Sequence, residues 1–301
     1  MQLSVGQGED RSVLLFHPCP SEPGCPYCAG SPPPGGFDWS FLGGAYCISL
    51  ASRPDRATSA AEQLHKVGLC RLVTFYRPTR HPKSPKIGIW ESHRAVALDA
   101  LEKGLETVLV LEDDVRFARF VRPRTVRAVQ RALARLPQDW MIFFLGHWVL
   151  RAWFVRPNVL RSASACTHAY IASRRLLTWL RDHPFGTAPI VRIAGTGIDA
   201  AFAALPGTYA YFPMLATQTA SRSDHLTYKP GRKKAWKLKH LFTRSRFRER
   251  MLSGLMRPNE LAIVALSPLF YLIERLRGPL LVRPATPPLS DPALPGRQRD
   301  A

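Results

Sequence analysis

Three consecutive carboxylates are the feature of this sequence most able to do chemistry. Glu112, Asp113 and Asp114 follow directly on the apolar run 107–111. Such a run predicts a buried strand, and the carboxyl ends of strands in an α/β sheet border the crevice where ligands bind. Three like charges this close repel one another unless a cation or several donors lie among them. The run therefore predicts a metal–diphosphate site, with an acidic end-of-strand turn as the structural alternative.

Side chains alternate along an extended strand, so Glu112 and Asp114 are expected on one side and Asp113 on the other. Asp114 and Glu112 are the predicted metal ligands, and Glu112 and Asp113 are also predicted to contact the bound cofactor. The segment 218–225 holds a polar cluster that could close over phosphates. Its histidine, His225, is the predicted further metal ligand.

The elements that must position these carboxylates alternate between strand-like and helix-like patterns, as in βα units of a largely parallel sheet. Strands are predicted at 45–50, 69–75, 107–111, 141–145, 166–172 and, more weakly, 209–212. Helices are predicted at 56–67, 89–103, 125–136, 174–181 and 196–205. The predicted fold class is α/β, with a Rossmann-like mixed sheet flanked by helices and a basic amphipathic C-terminal helical tail.

Two more segments bring polar side chains to the predicted crevice. The first strand runs into a turn with Arg53 and Arg56, which could donate charge-assisted hydrogen bonds to a nucleotide, although many such turns carry an arginine. The segment 88–93 opens the helix before the acidic strand, where Ser92 and His93 are candidate cofactor contacts. Taken alone, the spacing around His93 favours a buried core histidine.

In this order and spacing, the segments resemble glycosyltransferase family 25, which includes bacterial lipooligosaccharide galactosyl- and glucosyltransferases and collagen-modifying galactosyltransferases. The resemblance covers about residues 44–228. It is carried by Ile48, Leu50, Arg53, Asp55 and Arg56, by Gly88, Ser92 and His93, and by the run Leu111 to Val115. It implies a GT-A type fold, a UDP-sugar donor with Mn²⁺ (or Mg²⁺), and inversion at the anomeric carbon. Ser49 and Ile89 depart from the family's frequent Asn and Cys, which bears on the sugar more than on the reaction class.

Asp199 is the candidate catalytic residue. It falls in the first turn of the helix predicted at 196–205, and the family has a similar aspartate in the acceptor half of its site. An inverting transfer needs a general base that takes a proton from the attacking hydroxyl. The alternative is a carboxylate that only complements the helix dipole. His147 and Trp148, after the strand at 141–145, could contact the sugar or pack at its edge.

The charge of the chain predicts an anionic partner. The net charge is +20, from 42 Lys and Arg against 22 Asp and Glu. Between Lys229 and Arg257 there are eleven basic residues against one acid, Glu249. Leucines within this tract predict a helix lying on an anionic membrane surface, with packing against the core as the alternative.

A nucleic-acid-binding protein is the second hypothesis, but three acids at the sheet edge and the lack of a recognisable nucleic-acid motif argue against it. A catalytically inactive glycan-binding homologue is the third.

Composition sets the predicted domain boundaries. Residues 1–36 are rich in Pro, Gly and Cys, 37–228 form the predicted catalytic domain, 229–283 a basic helical region, and 284–301 a disordered tail. The start of the chain lacks the pattern of a signal peptide, which predicts a cytoplasmic protein. The basic tract adds the expectation of a peripheral position on the inner face of the membrane. The expected reaction transfers galactose or glucose from UDP-galactose or UDP-glucose to a glycan or lipid-linked acceptor such as the lipopolysaccharide core. His17, Cys19, Cys25 and Cys28 could bind zinc or be free thiols.

Overall fold

The computed structural model describes residues 16–17, 27, 34–191, 197–219 and 246–277. Within these ranges the strands are β1 (Phe16–His17), β2 (Gly44–Ile48), β3 (Val73–Tyr76), β4 (Thr107–Glu112), β5 (Val115–Phe117), β6 (Ile142–Arg156), β7 (Val159–Ser173), β8 (Thr208–Tyr211) and β9 (Ala216–Gln218). The helices there are α1 (Pro54–Lys66), α2 (Pro85–Glu102), α3 (Pro123–Leu133), α4 (Arg174–Asp182), α5 (Ile198–Phe202), α6 (Arg246–Ala265) and α7 (Ser267–Arg277).

The main sheet is mixed, with the strand order β1-β3-β2-β4-β7-β6-β8, and β5 pairs separately with β9. Strand β2 runs parallel to both of its neighbours, β3 and β4, because α1 and α2 return the chain across the sheet. Strand β7 is antiparallel to both β4 and β6, whereas β8 runs parallel to β6. The prediction of an α/β fold with a mixed sheet flanked by helices is confirmed. The sheet is less parallel than the alternating elements suggested, because β6 and β7 form a hairpin.

That hairpin is the largest difference from the sequence prediction. Both strands are 15 residues long, whereas the apolar runs predicted strands of five and seven residues. The turn between them places Asn158 at a φ of 63°, a left-handed conformation that asparagine adopts more readily than most residues. Arginines such as Arg151 and Arg161 interrupt the apolar pattern, since part of the hairpin faces solvent.

Proline sets the start of three helices, because its fixed φ suits the first helical turn and its missing N–H has no intrahelical partner there. Helices α1, α2 and α3 begin at Pro54, Pro85 and Pro123. Before α2, the Ser84 hydroxyl accepts a hydrogen bond from the Lys86 amide at 3.2 Å. The helix therefore starts four residues earlier than the apolar spacing predicted, which brings Gly88 into its first turn.

The sheet divides the core into two layers, and β4 contributes side chains to both. Leu109 and Leu111 pack on the face covered by α1 and α3, whereas Val108 and Val110 pack on the face covered by α2, α4 and α5. All four side chains are buried. Because successive side chains point to opposite faces, the residues that follow β4 are directed alternately toward α2 and toward α1.

The two C-terminal helices contact β6. The Val149 amide donates a hydrogen bond to the Asn259 side chain, and the Phe154 amide donates one to the Ser267 hydroxyl, both at 3.0 Å. Glu260 is 1% exposed and accepts from the Met214 amide with both oxygens, at 2.9 and 3.1 Å. In the part of the chain that the structure describes, no helix is long and apolar enough to cross a membrane.

Candidate active site

Glu112 ends β4 on the face covered by α2. Its Oε1 accepts a hydrogen bond from the Thr167 hydroxyl at 2.5 Å and lies 3.6 Å from Nε2 of His93. The other ring nitrogen of His93 lies 2.8 Å from the Tyr170 hydroxyl. Burial opposes ionisation of Glu112, but His93 and Thr167 outweigh it and hold the pKa of this carboxyl at about 2. Glu112 is therefore ionised at neutral pH.

Asp113 points to the opposite face, as the alternation along β4 predicts. Its Oδ1 lies 3.0 Å from a guanidinium nitrogen of Arg56 in α1, and its amide donates to the Ile48 carbonyl at 3.1 Å. Burial raises the pKa of Asp113, and the charge of Arg56 opposes that shift. The Arg56–Asp113 pair fixes the start of α1 to the end of β4, so it holds two predicted site segments together.

Replacing Arg56 by methionine is expected to lower the free energy of unfolding by about 2 kcal/mol or more, because the buried Asp113 carboxylate loses its countercharge. Lys66→Met is the matched control, since Lys66 pairs with Glu62 on the surface of the same helix and should change stability by less than about 0.5 kcal/mol. Urea unfolding of both variants measures the difference. Equal small losses would show that the buried pair does not stabilise the site.

Asp114 lies in the turn after β4 and carries a buried oxygen, Oδ1, that has no hydrogen-bond partner in the described part of the chain. Burial and the adjacent Glu112 raise the pKa of Asp114 well above its usual value. A buried carboxylate oxygen without a donor is costly, and a divalent cation with oxygen ligands would remove that cost. Glu112 and Asp114 thus fit the hard donors that Mn²⁺ and Mg²⁺ prefer.

The described residues do not by themselves complete a metal ligand set. Among them, no group of three or more His, Cys, Asp or Glu side chains is arranged to hold an ion. The predicted further ligand, His225, lies outside the described residues. The ribbon of β5 and β9 brings Thr219 to the turn that carries Asp114, since the Thr219 amide donates to the Asp114 carbonyl at 2.6 Å.

A bulge in β7 builds the wall facing the carboxylates. Trp148 of β6 pairs with Ala165 and Gly146 pairs with Ala169, so the three residues 166–168 of β7 lie opposite the single residue His147 of β6. Within the bulge Cys166 has a φ of 68°, which is unusual for a residue with a side chain. Bulges redirect side chains, and this one turns Thr167 toward Glu112.

Gly146 permits this bulge to pack. A Cβ atom built on Gly146 would overlap the His168 ring and the Ala216 carbonyl. Burial lowers the pKa of His168 to about 4, so its imidazole is neutral at physiological pH. Its Nε2 lies 3.4 Å from the Ala216 carbonyl oxygen. The glycine therefore serves close packing beneath the site.

Asp199 approaches the bulge from the first turn of α5. Its Oδ1 accepts a hydrogen bond from the Cys166 amide at 3.0 Å. Burial raises the pKa of this carboxyl to about 6, and the negative charge of Glu112 adds to the shift. A carboxylate with a pKa near 6 is largely ionised at neutral pH yet basic enough to accept a proton in a reaction. The structure thus brings Asp199 to the same side of the sheet as Glu112.

The structure gives less direct support to the other predicted donor contacts, those of Arg53, Ser92 and His93. Arg53 pairs with Asp55 at 2.9 Å where α1 begins. Ser92 donates its hydroxyl to the Gly88 carbonyl at 2.6 Å within α2, which is a local helix contact. His93 is buried behind Glu112, so its observed role is to position that carboxylate. The prediction that Ser92 and His93 themselves contact a donor stays a prediction.

The structure also describes two further candidate histidines, His147 and His17. His147 is fully buried, with Nδ1 2.8 Å from the Ser164 hydroxyl, and its ring stacks on Phe144. A sugar cannot reach it in this arrangement, because the strand that carries it is covered by α6. Of the predicted zinc ligands, only His17 is described, where β1 pairs with β3; the three cysteines lie outside the described residues.

Sequence reasoning missed the residues that orient the predicted ones. Thr167, Cys166 and Tyr170 all lie in β7 and contact Glu112, Asp199 and His93 respectively. The sequence carries no motif for them, because a bulge is defined by its partner strand and β6 was predicted to end before the pairing that creates it.

No family model matches this chain, and no curated protein matches it. Among solved structures, a glycosyltransferase involved in the glycosylation of the major capsid of PBCV-1 aligns at 12% identity, over 46% of this chain and 64% of its own, with a TM-score of 0.29. A second, A197 from STIV, aligns at 14% identity over 62% of this chain and 97% of its own, with a TM-score of 0.34. The chain thus spans less than two thirds of the first structure's length. Both TM-scores fall below 0.5, so neither alignment establishes a shared fold or activity.

Proposed function

We propose that this protein is a metal-dependent inverting glycosyltransferase of GT-A type that resembles family 25. It would transfer galactose or glucose from a UDP-sugar to a glycan or lipid-linked acceptor such as the lipopolysaccharide core. The observation that carries the proposal is the pair of half-buried carboxylates at the end of β4, in which Glu112 is ionised and Asp114 has a buried oxygen without a partner among the described residues. An arrangement of this kind is suited to a cation that neutralises a diphosphate.

The donor side of the site follows from the end of β4. Asp114 and Glu112 would hold Mn²⁺ or Mg²⁺, which supplies charge neutralisation for the departing UDP. Thr167 and His93 keep Glu112 oriented, and Arg56 keeps Asp113 and the start of α1 in place. Arg53, at that helix start, is the candidate for a direct contact with the diphosphate or the nucleoside.

The acceptor side is assigned to Asp199. The Cys166 amide holds Oδ1, which leaves Oδ2 to take the proton of the acceptor hydroxyl. As that O–H bond breaks, the acceptor oxygen forms a bond to the anomeric carbon, and the bond from this carbon to the diphosphate oxygen breaks. The electron pair leaves with UDP and the proton stays on Asp199. Attack from the face opposite the leaving group inverts the anomeric configuration.

The test is UDP release from UDP-glucose and from UDP-galactose by the full chain, with Mn²⁺, with Mg²⁺ and with EDTA. Slow release that requires the metal would support the proposal and rank the two donors. GDP-mannose provides a control for the nucleotide. If calorimetry shows that neither UDP-sugar binds in the presence of Mn²⁺, the proposal is wrong, and an inactive binding protein becomes the better hypothesis.

A further inference from the structure

The outward side of α7 is apolar. Leu269, Leu272 and Leu276 follow the i, i+3, i+7 spacing of one helix face and are 51%, 53% and 75% exposed. On the side of α7 that packs against the protein, Ser267 is buried, and Phe270 and Ile273 are half-buried. A surface helix of a globular protein normally points its apolar stripe at the core. Here three leucines point the other way.

The apolar surface extends beyond these leucines. Leu266, in the turn before α7, and Leu261 of α6 are also about half exposed, as is Tyr271. The guanidinium of Arg275 lies 5.5 Å from the centre of the Tyr271 ring, so a cation accompanies the apolar side chains. Large exposed apolar surfaces with polar rims mark sites of protein or membrane interaction.

The charge of the chain decides which partner fits. The segment from residue 229 to residue 257, which leads into and through the first half of α6, has eleven basic residues and one acid, and the whole chain carries +20. A second copy of the chain would bring the same positive charge to the contact and be repelled. A bilayer with acidic lipids offers negative charge at its surface and apolar chains just beneath it.

We propose that α7 lies in the interfacial region of an anionic bilayer and inserts Leu269, Leu272 and Leu276 into it. The sequence placed the membrane contact on the basic tract and the leucines within it, whereas the structure adds a second set of exposed apolar side chains, those of α7. The basic tract then supplies attraction to the surface and α7 supplies burial of apolar area. This inference does not depend on the glycosyltransferase proposal.

The test is flotation of the full chain with vesicles of phosphatidylcholine alone and of phosphatidylcholine with about one third phosphatidylglycerol. The wild type should bind the acidic vesicles and bind more weakly at high salt. The triple variant L269S/L272S/L276S should bind them at least about tenfold more weakly, because it loses the buried apolar area. The matched control replaces two exposed leucines elsewhere, Leu72→Ser and Leu98→Ser, and should bind like the wild type.

Three outcomes would overturn the proposal. The first is equal binding by the triple variant and the wild type, and the second is no binding of the wild type to acidic vesicles. The third is a wild-type dimer, seen by sedimentation, that the triple substitution dissociates while vesicle binding is unchanged, since the leucines would then cover a second copy. Urea unfolding provides a separate check. A large loss of stability in the triple variant would mean that the leucines are covered by the chain itself.

Discussion

Asp114→Asn is expected to abolish metal-dependent UDP release, lowering kcat by about 1,000-fold or more. The substitution keeps the size of the side chain and removes the charge that a divalent cation requires. Calorimetry should show that Mn²⁺ binding is lost in parallel. The free energy of unfolding should stay the same or rise, because the variant no longer holds a second acid beside the ionised Glu112. Loss of activity without loss of fold is therefore the expected result.

The control for this experiment is Asp182→Asn, which removes a carboxylate that pairs with Arg181 on the surface at the end of α4. That variant should retain the activity and the Mn²⁺ affinity of the wild type. Full transfer activity in Asp114→Asn would show that Asp114 is not a metal ligand. The assignment of the acidic cluster would then have to rest on Glu112 and Asp113 alone.

Asp199→Asn is expected to lower kcat by about 100- to 10,000-fold, the range that a general base contributes. The asparagine side-chain oxygen can still accept the hydrogen bond from the Cys166 amide, so the local structure is kept. Binding of the UDP-sugar and of Mn²⁺ should change little, since the proposed base acts on the acceptor. Separate measurements of kcat, KM and Mn²⁺ affinity distinguish this result from general damage to the site.

The same variant should be more stable than the wild type at neutral pH. Burial raises the folded pKa of Asp199 to about 6 from an ordinary value of 3.8, so the folded state binds this proton more tightly than the unfolded state does. Stability is therefore lost as the pH rises from about 4 to about 6, by on the order of 3 kcal/mol for this group. Asparagine does not titrate, so the difference in unfolding free energy between the two proteins should shrink below pH 4.

The activity of the wild type should fall about tenfold per pH unit below pH 6, because protonated Asp199 cannot accept the acceptor's proton. A pH profile that stays flat to pH 4.5 would contradict the role of Asp199 as the base. So would an Asp199→Asn variant that keeps its kcat, even if its stability rises as expected.

The parts of this fold that could be predicted from sequence are those with continuous apolar patterns. Strand β4 and the position of the carboxylates at its end were predicted correctly, because a buried central strand is an uninterrupted apolar run and its end is marked by charge. Strands β2 and β8 were predicted for the same reason. Helix starts were less accurate, since the apolar spacing does not show the capping residue Ser84 or the proline that follows it.

The parts that could not be predicted depend on contacts between distant segments. The hairpin of β6 and β7 alternates buried and exposed residues irregularly, so its arginines and tryptophans conceal its length. Thr167 acquires its role only because three residues of β7 lie opposite one residue of β6 at this bulge. His93 was identified as a candidate, but only the structure shows that it lies between Tyr170 and Glu112 and so acts through the carboxylate.

The buried carboxylate of Glu260 has a consequence for how this protein can be shortened. Glu260 reaches from α6 to the Met214 amide and lies 3.7 Å from His147. In addition, Asn259 of α6 accepts from the Val149 amide, and Ser267 of α7 accepts from the Phe154 amide. Deleting the helices would leave these donors without partners, at about 1–3 kcal/mol for each buried group. A truncation at residue 245 would therefore unfold the sheet, and its failure to reach a membrane would say nothing about α7. Point substitutions on the outer side of that helix avoid this confusion.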